Sequence, residues 1–157
     1  MLVAVISWFI PLSDHVRPGV VALHVISLTV GLGAVLSVDW YGLAWLIGRQ
    51  RLPEVAGVAG GLESLIWLGL TGLIVTGSLL KPDLTSAITD LKLALVAAVL
   101  VNGLALRGVR ERLTTRSPGT TFRFLPTADQ WRLITGTTVS QIGWWGATII
   151  GFINAAG

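Results

Sequence analysis

The sequence predicts an all-α integral membrane protein: a four-helix bundle preceded by a short N-terminal interfacial helix. Three observations carry this. Residues 19–38, GVVALHVISLTVGLGAVLSV, hold one ionisable group, His24, in twenty residues, and about 20 apolar residues are what a helix needs to cross a hydrocarbon core of roughly 30 Å. Three later segments have the same character. The 157-residue chain is 53% hydrophobic and 12% charged, with a mean hydropathy of +0.78, whereas soluble domains are about 25% charged. The length suits one domain. No ten-residue alternation occurs, which excludes a β-barrel.

The opening MLVAVISWFIPL is apolar. It lacks the basic n-region and small-residue cleavage site of a signal peptide, and it is too short to span. It reads as an interfacial helix ended by Pro11, with Trp8 at headgroup depth. The spans follow at about 18–47, 62–80, 90–106 and 131–153. Pro18 suits the first turn of span one, and the helical pattern runs on through Asp39-Trp40-Tyr41. Pro53 and Gly57, Gly60 and Gly61 mark the approach to span two, and Lys81-Pro82-Asp83 its exit. Thr89 or Asp90 caps span three, and Thr127 with Gln130 fits a capping box before span four.

Arg49, Arg51, Arg107, Arg110, Arg112, Arg116, Arg123 and Arg132 fall on one side; Arg17, Lys81 and Lys92 fall on the other. The positive-inside rule makes the first side cytoplasmic, with 107–130 as the cytoplasmic loop and both termini on the outer side of a bacterial inner membrane. The basic balance, pI near 10.2, is thereby explained without nucleic acid as a partner. The partners expected are the lipid bilayer and other membrane-complex subunits, or a second copy in a homodimer. No cysteine is present, so disulfides and thiolate chemistry within this chain are excluded.

Ionisable groups inside spans are costly and point to function. They are His24, Asp39, Glu63 and Lys92, joined by neutral Asn102 and Gln141. His24 and Lys92 share an outer layer. Asp39 lies about 22 Å further along the first helix than His24 and only about 60° around it, so both can face inward. Asp39, Glu63 and Asn102 form an inner layer, with Gln141 nearer the midplane; Asp39, beside Trp40-Tyr41, reads as the inner water boundary or, if buried, as a proton relay, and Glu63 as interfacial. His24 reads either as an interhelical hydrogen-bond donor or as a haem or metal ligand; His15 precedes the spans, so two-histidine ligation within one subunit is not expected. Lys92 either snorkels or meets an anionic cofactor carboxylate. Asn102 and Gln141 suit interhelical hydrogen bonds, and the pairs Gly31/Gly33, Gly69/Gly72 and Gly143/Gly146 suit close helix approach. No phosphate loop, HExxH or Ser/His/Asp set appears.

In their order, the segments ALHVISLTVGLGAVLSVDWYGLAWL, ESLIWLGLTGLIVTG, DLKLALVAAVLVNGLAL and VSQIGWWGATIIG resemble those of an uncharacterised group of small bacterial four-span membrane proteins. The matching positions are His24, Asp39, Trp67 to Leu70, Lys92, Asn102-Gly103 and Trp144-Trp145. More remotely, the chain resembles the membrane-embedded protoporphyrinogen oxidases and the copper-resistance D-type proteins. Those place a His early in one span and, in the oxidases, a Lys at the start of a later one. That resemblance implies His24 and Lys92 as cofactor-binding residues, with haem b as the cofactor. The oxidases carry a His just before that lysine, where this chain has Leu91. Three functions are compatible with these residues: a haem-associated or redox-linked protein, a noncatalytic accessory subunit of a larger complex, and a small-solute or ion carrier using Asp39, Asn102 and Gln141.

Overall fold

The structure, a computed structural model, describes residues 13–83 and 85–156, with the side chains of 155 and 156 left aside. The interfacial helix expected over the first twelve residues lies outside this range. Among the described residues there are four long helices, one short 3-10 turn at Phe122–Phe124, and no strand. The helices are α1 (Arg17–Leu46), α2 (Leu52–Leu79), α3 (Ala87–Thr114) and α4 (Thr127–Ala156). The first three are long and apolar enough to cross a membrane. α4 matches them in length, at 30 residues, but its first half is more polar, carrying Asp129, Arg132 and several threonines.

The helices run past the apolar cores of the predicted spans because their ends are chemically closed. The α1 end turns through Gly48, at φ 76°, the left-handed residue that glycine adopts without a Cβ penalty. The Arg51 N–H then donates to the Glu54 carboxylate at 2.9 Å, half of a capping box, so α2 starts at Leu52. Gly57, Gly60 and Gly61 lie within this helix rather than before it. The cap of α3 is Ser86, not Thr89 or Asp90; Thr89 is buried one turn in. At its other end α3 continues to Thr114, supported by the i,i+4 pair Arg107–Glu111 at 3.4 Å and by burial of Val109 and Leu113. Thr127 is already helical. The Pro126 carbonyl accepts the Asp129 and Gln130 N–H groups, and the Gln130 amide donates back to the Leu125 carbonyl at 2.9 Å. The expected loop 107–130 therefore contracts to the connection 115–126.

The chain forms two antiparallel hairpins, α1 with α2 and α3 with α4, each packed far more closely within itself than against the other. In the first hairpin the backbones touch. A Cβ on Gly69 would lie 2.5 Å from the Gly31 Cα and 2.8 Å from the Ser27 carbonyl oxygen. In the second hairpin the glycines are sockets for side chains: Gly143 receives Val99, Gly146 receives Leu95 and Gly136 receives Leu106. Gly33 faces open space, so it takes no part in the close approach expected of it. Two buried apolar clusters join the hairpins. Val35, Leu70, Val99 and Trp144 form one near mid-height. Trp45, Leu52, Val109, Leu113 and Leu125 form the other at the arginine-rich end. The outward faces carry Ile26, Leu68, Val101, Ile142 and Phe152, all more than half exposed.

Candidate functional site

Because the hairpins meet loosely, a cavity of about 550 Å³ remains between them. Its walls are mainly apolar, including Val35, Leu70 and Val99. Three of the polar residues expected from the sequence, Asp39, Glu63 and Asn102, line it, joined by Arg110 and Trp144. His24 and Lys92 do not line it.

Asp39, Glu63 and Asn102 each have a partner on another helix. Asp39, half-buried on α1, accepts from the Gln141 Nε2 at 2.5 Å. The Gln141 Oε1 accepts from the Trp145 indole N–H at 3.0 Å. The α1 carboxylate is thus held by α4 through a neutral amide, and Asp39 makes no ion pair among the described residues. Glu63 on α2 faces Arg110 on α3 at 3.3 Å and also accepts from the Trp67 N–H at 3.4 Å. The Asn102 Nδ2 donates to the Gly136 carbonyl at 2.8 Å, joining α3 to α4.

Trp144 differs from these. It is 3% exposed, its ring packs against Gly31, and its indole N–H has no hydrogen-bond partner among the described residues. A buried donor without an acceptor costs about 1–3 kcal/mol.

At the opposite height, the His24 Nδ1 lies 2.7 Å from the Thr76 Oγ1, and the Thr76 hydroxyl donates to the Gly72 carbonyl at 2.5 Å. A hydroxyl has one proton. That proton is spent on Gly72, so His24 Nδ1 carries the donor hydrogen and, on a neutral ring, Nε2 carries the lone pair. Gly77 stands beside the ring, where a Cβ would come within 3.3 Å of Cε1. Lys92, from the other hairpin, lies near Gly151. A haem iron would find one oriented imidazole there, and Lys92 would suit a propionate. No group of three His, Cys, Asp or Glu residues able to hold a metal occurs among the described residues.

Sequence reasoning assigned Arg110 to orientation alone and Trp144 to an aromatic pair. Both carried a usable signal. Arg110 is eight residues after Asn102, about 80° around the helix and so on the same face, and Trp144 is one turn beyond Gln141.

At the arginine-rich end, the Trp45 indole N–H donates to the Thr120 carbonyl at 3.2 Å, and Phe122 meets the Trp45 ring edge-on at 5.6 Å. The connection 115–126 is thereby pinned to α1 beside the cavity, whose wall includes Phe122. Comparison of the chain with protein-family models, with curated proteins and with solved structures gives no match in any of the three.

Proposed function

We propose that the chain is a four-span protein of the bacterial inner membrane whose two hairpins enclose a small organic molecule, the binding site of a small-solute carrier. The observation that carries this reading is the 550 Å³ cavity lined by Asp39, Glu63, Asn102, Arg110 and Trp144. Its size falls within the few hundred to 1,000 Å³ usual for small-molecule sites, and a mainly apolar wall with a few polar groups is their usual chemistry.

Membrane embedding is supported by α1 to α3 and by the apolar outward faces. α4 is the fourth crossing in this reading, its polar groups being met by partners within the protein. Thr135, Thr138 and Thr148 each donate to a carbonyl one turn back, Gln141 turns inward to Asp39, and Asp129 pairs with Arg112. Satisfied polar groups of this kind are tolerated in lipid. The arginine-rich end is the cytoplasmic side in this reading, with both termini outside.

The test is native mass spectrometry of the full chain released from lipid nanodiscs. Wild type is expected to carry a small-molecule adduct that Gly42→Phe loses. Gly42 lines the cavity, and a Cβ there meets nothing within 4 Å, so the new ring fills space without a clash at its root. An adduct retained by Gly42→Phe refutes the site, as does wild type without one.

One observation favours a second reading, a haem-associated protein in which His24 is an axial ligand. The Thr76 bond fixes the ring through Nδ1, the usual way an imidazole ligand is oriented. An absorption band of the native-membrane extract that weakens in His24→Ala would support it; a featureless spectrum would remove it.

A further inference from the structure

We infer that the occupant of the inter-hairpin cavity is a monovalent organic cation, an amine with an apolar body; this rests on the binding reading above. The inference comes from matching charges around the cavity wall one by one. Glu63 is answered by Arg110, and Glu111 by Arg107. Asp39 is answered by no cation among the described residues. It holds only the Gln141 amide, and that amide is in turn held by Trp145. A carboxylate on a membrane-crossing helix with no cationic partner is costly, and an ammonium group entering beside it offsets that cost. An anion would meet Asp39 and would gain a cation by detaching Arg110 from Glu63 or Arg107 from Glu111. A neutral occupant would leave Asp39 as it stands.

The other walls agree with this choice. Trp45, Trp67 and Trp144 all line the cavity, and indole rings attract cations through their faces. Val35, Leu70 and Val99 offer apolar surface to the rest of the molecule. His24 and Lys92 lie outside this cavity, so the basic layer at the far end does not oppose a cation here.

The test uses the full chain in lipid nanodiscs, with binding read by calorimetry and tryptophan fluorescence, and empty nanodiscs subtracted. The probes are phenylbutylamine, phenylbutanol and phenylbutyrate, which share one apolar body and differ in charge. The amine is expected to bind on the order of tenfold tighter than the alcohol, with the acid weakest. That advantage is expected to vanish in Asp39→Asn and return in Asp39→Glu. Unchanged alcohol binding by Asp39→Asn shows that the cavity is still formed. Equal binding of amine and alcohol to wild type, or tightest binding of the acid, overturns the cation assignment and leaves the binding reading standing. If no probe binds and Gly42→Phe matches wild type, the binding reading falls and this inference with it.

Discussion

At the scale of single residues, the glycines separate most sharply. A Cβ on Gly69 would strike the α1 backbone at Gly31 and Ser27, and neither can swing aside as a side chain can. Gly69→Ala is expected to force α1 and α2 apart and destabilise the protein by about 1–3 kcal/mol, seen as a lowered midpoint of thermal unfolding in detergent. Gly33→Ala, facing open space, is expected to leave that midpoint nearly unchanged. The sequence shows both as glycines within apolar runs, and nothing in their neighbours tells which one meets a backbone. The same limit applies to the polar residues. Asp39 and Gln141 are legible as polar positions inside spans, but they are 102 residues apart, and only packing of α4 against α1 makes them partners. Arg110 was hidden for another reason: its charge suits the end of a span and a cavity wall equally well.

At the scale of elements, the helices were legible from apolar runs, while their ends were not. Apolarity stops where lipid would stop, but a helix stops where its backbone groups find other partners. Glu54 closes the start of α2 ten residues ahead of the expected span, and Arg107–Glu111 carries α3 beyond it. The last turn of α3 is tied to the first turn of α4 by Arg112, 2.9 Å from the buried Asp129 carboxylate, with Arg116 at 3.9 Å. A basic C-terminal turn facing an acidic N-terminal turn also complements both helix dipoles. Asp129→Ala is expected to cost about 1–2 kcal/mol, less than a fully buried pair because Arg112 is half exposed. Chemical denaturation in mixed micelles measures it.

The connection between α2 and α3 makes a second prediction at this scale. The Asp83 carboxylate accepts both the Thr85 N–H, at 2.9 Å, and the Thr85 hydroxyl, at 2.7 Å. These bonds hold the Asp83 carboxyl below its ordinary range. A carboxyl lowered on folding stabilises the turn above the ordinary value, and that contribution is lost as pH falls through the lowered one. The Thr85 amide resonance is therefore expected to titrate with a midpoint below that of a free aspartate and to stop titrating in Asp83→Asn. An ordinary midpoint would refute the pairing.

At the scale of the whole molecule, the alternation of helix directions places the α2–α3 and α3–α4 connections at opposite ends. The chain has no cysteine, so single substitutions report accessibility without background. Thr85→Cys and Ser117→Cys are expected to react with a membrane-impermeant maleimide from opposite faces of sealed vesicles, Thr85→Cys from the outside of right-side-out vesicles. Labelling of both from one face would refute four crossings. The all-helical class was readable because apolar length is a local property of sequence. The division into two hairpins was not, because it depends on which glycines admit a backbone and which admit only a side chain.

That division has a thermodynamic consequence. Each hairpin completes its closest packing internally, and the cavity comes into being only when the two have docked. A molecule bound there has no site on the separated halves, so its binding free energy adds directly to their association, growing as the logarithm of its concentration. If the proposed binding holds, occupancy and assembly are one equilibrium: the solute would act as a mortar between prefabricated halves, and the stability of the whole would become a gauge of how much solute is present.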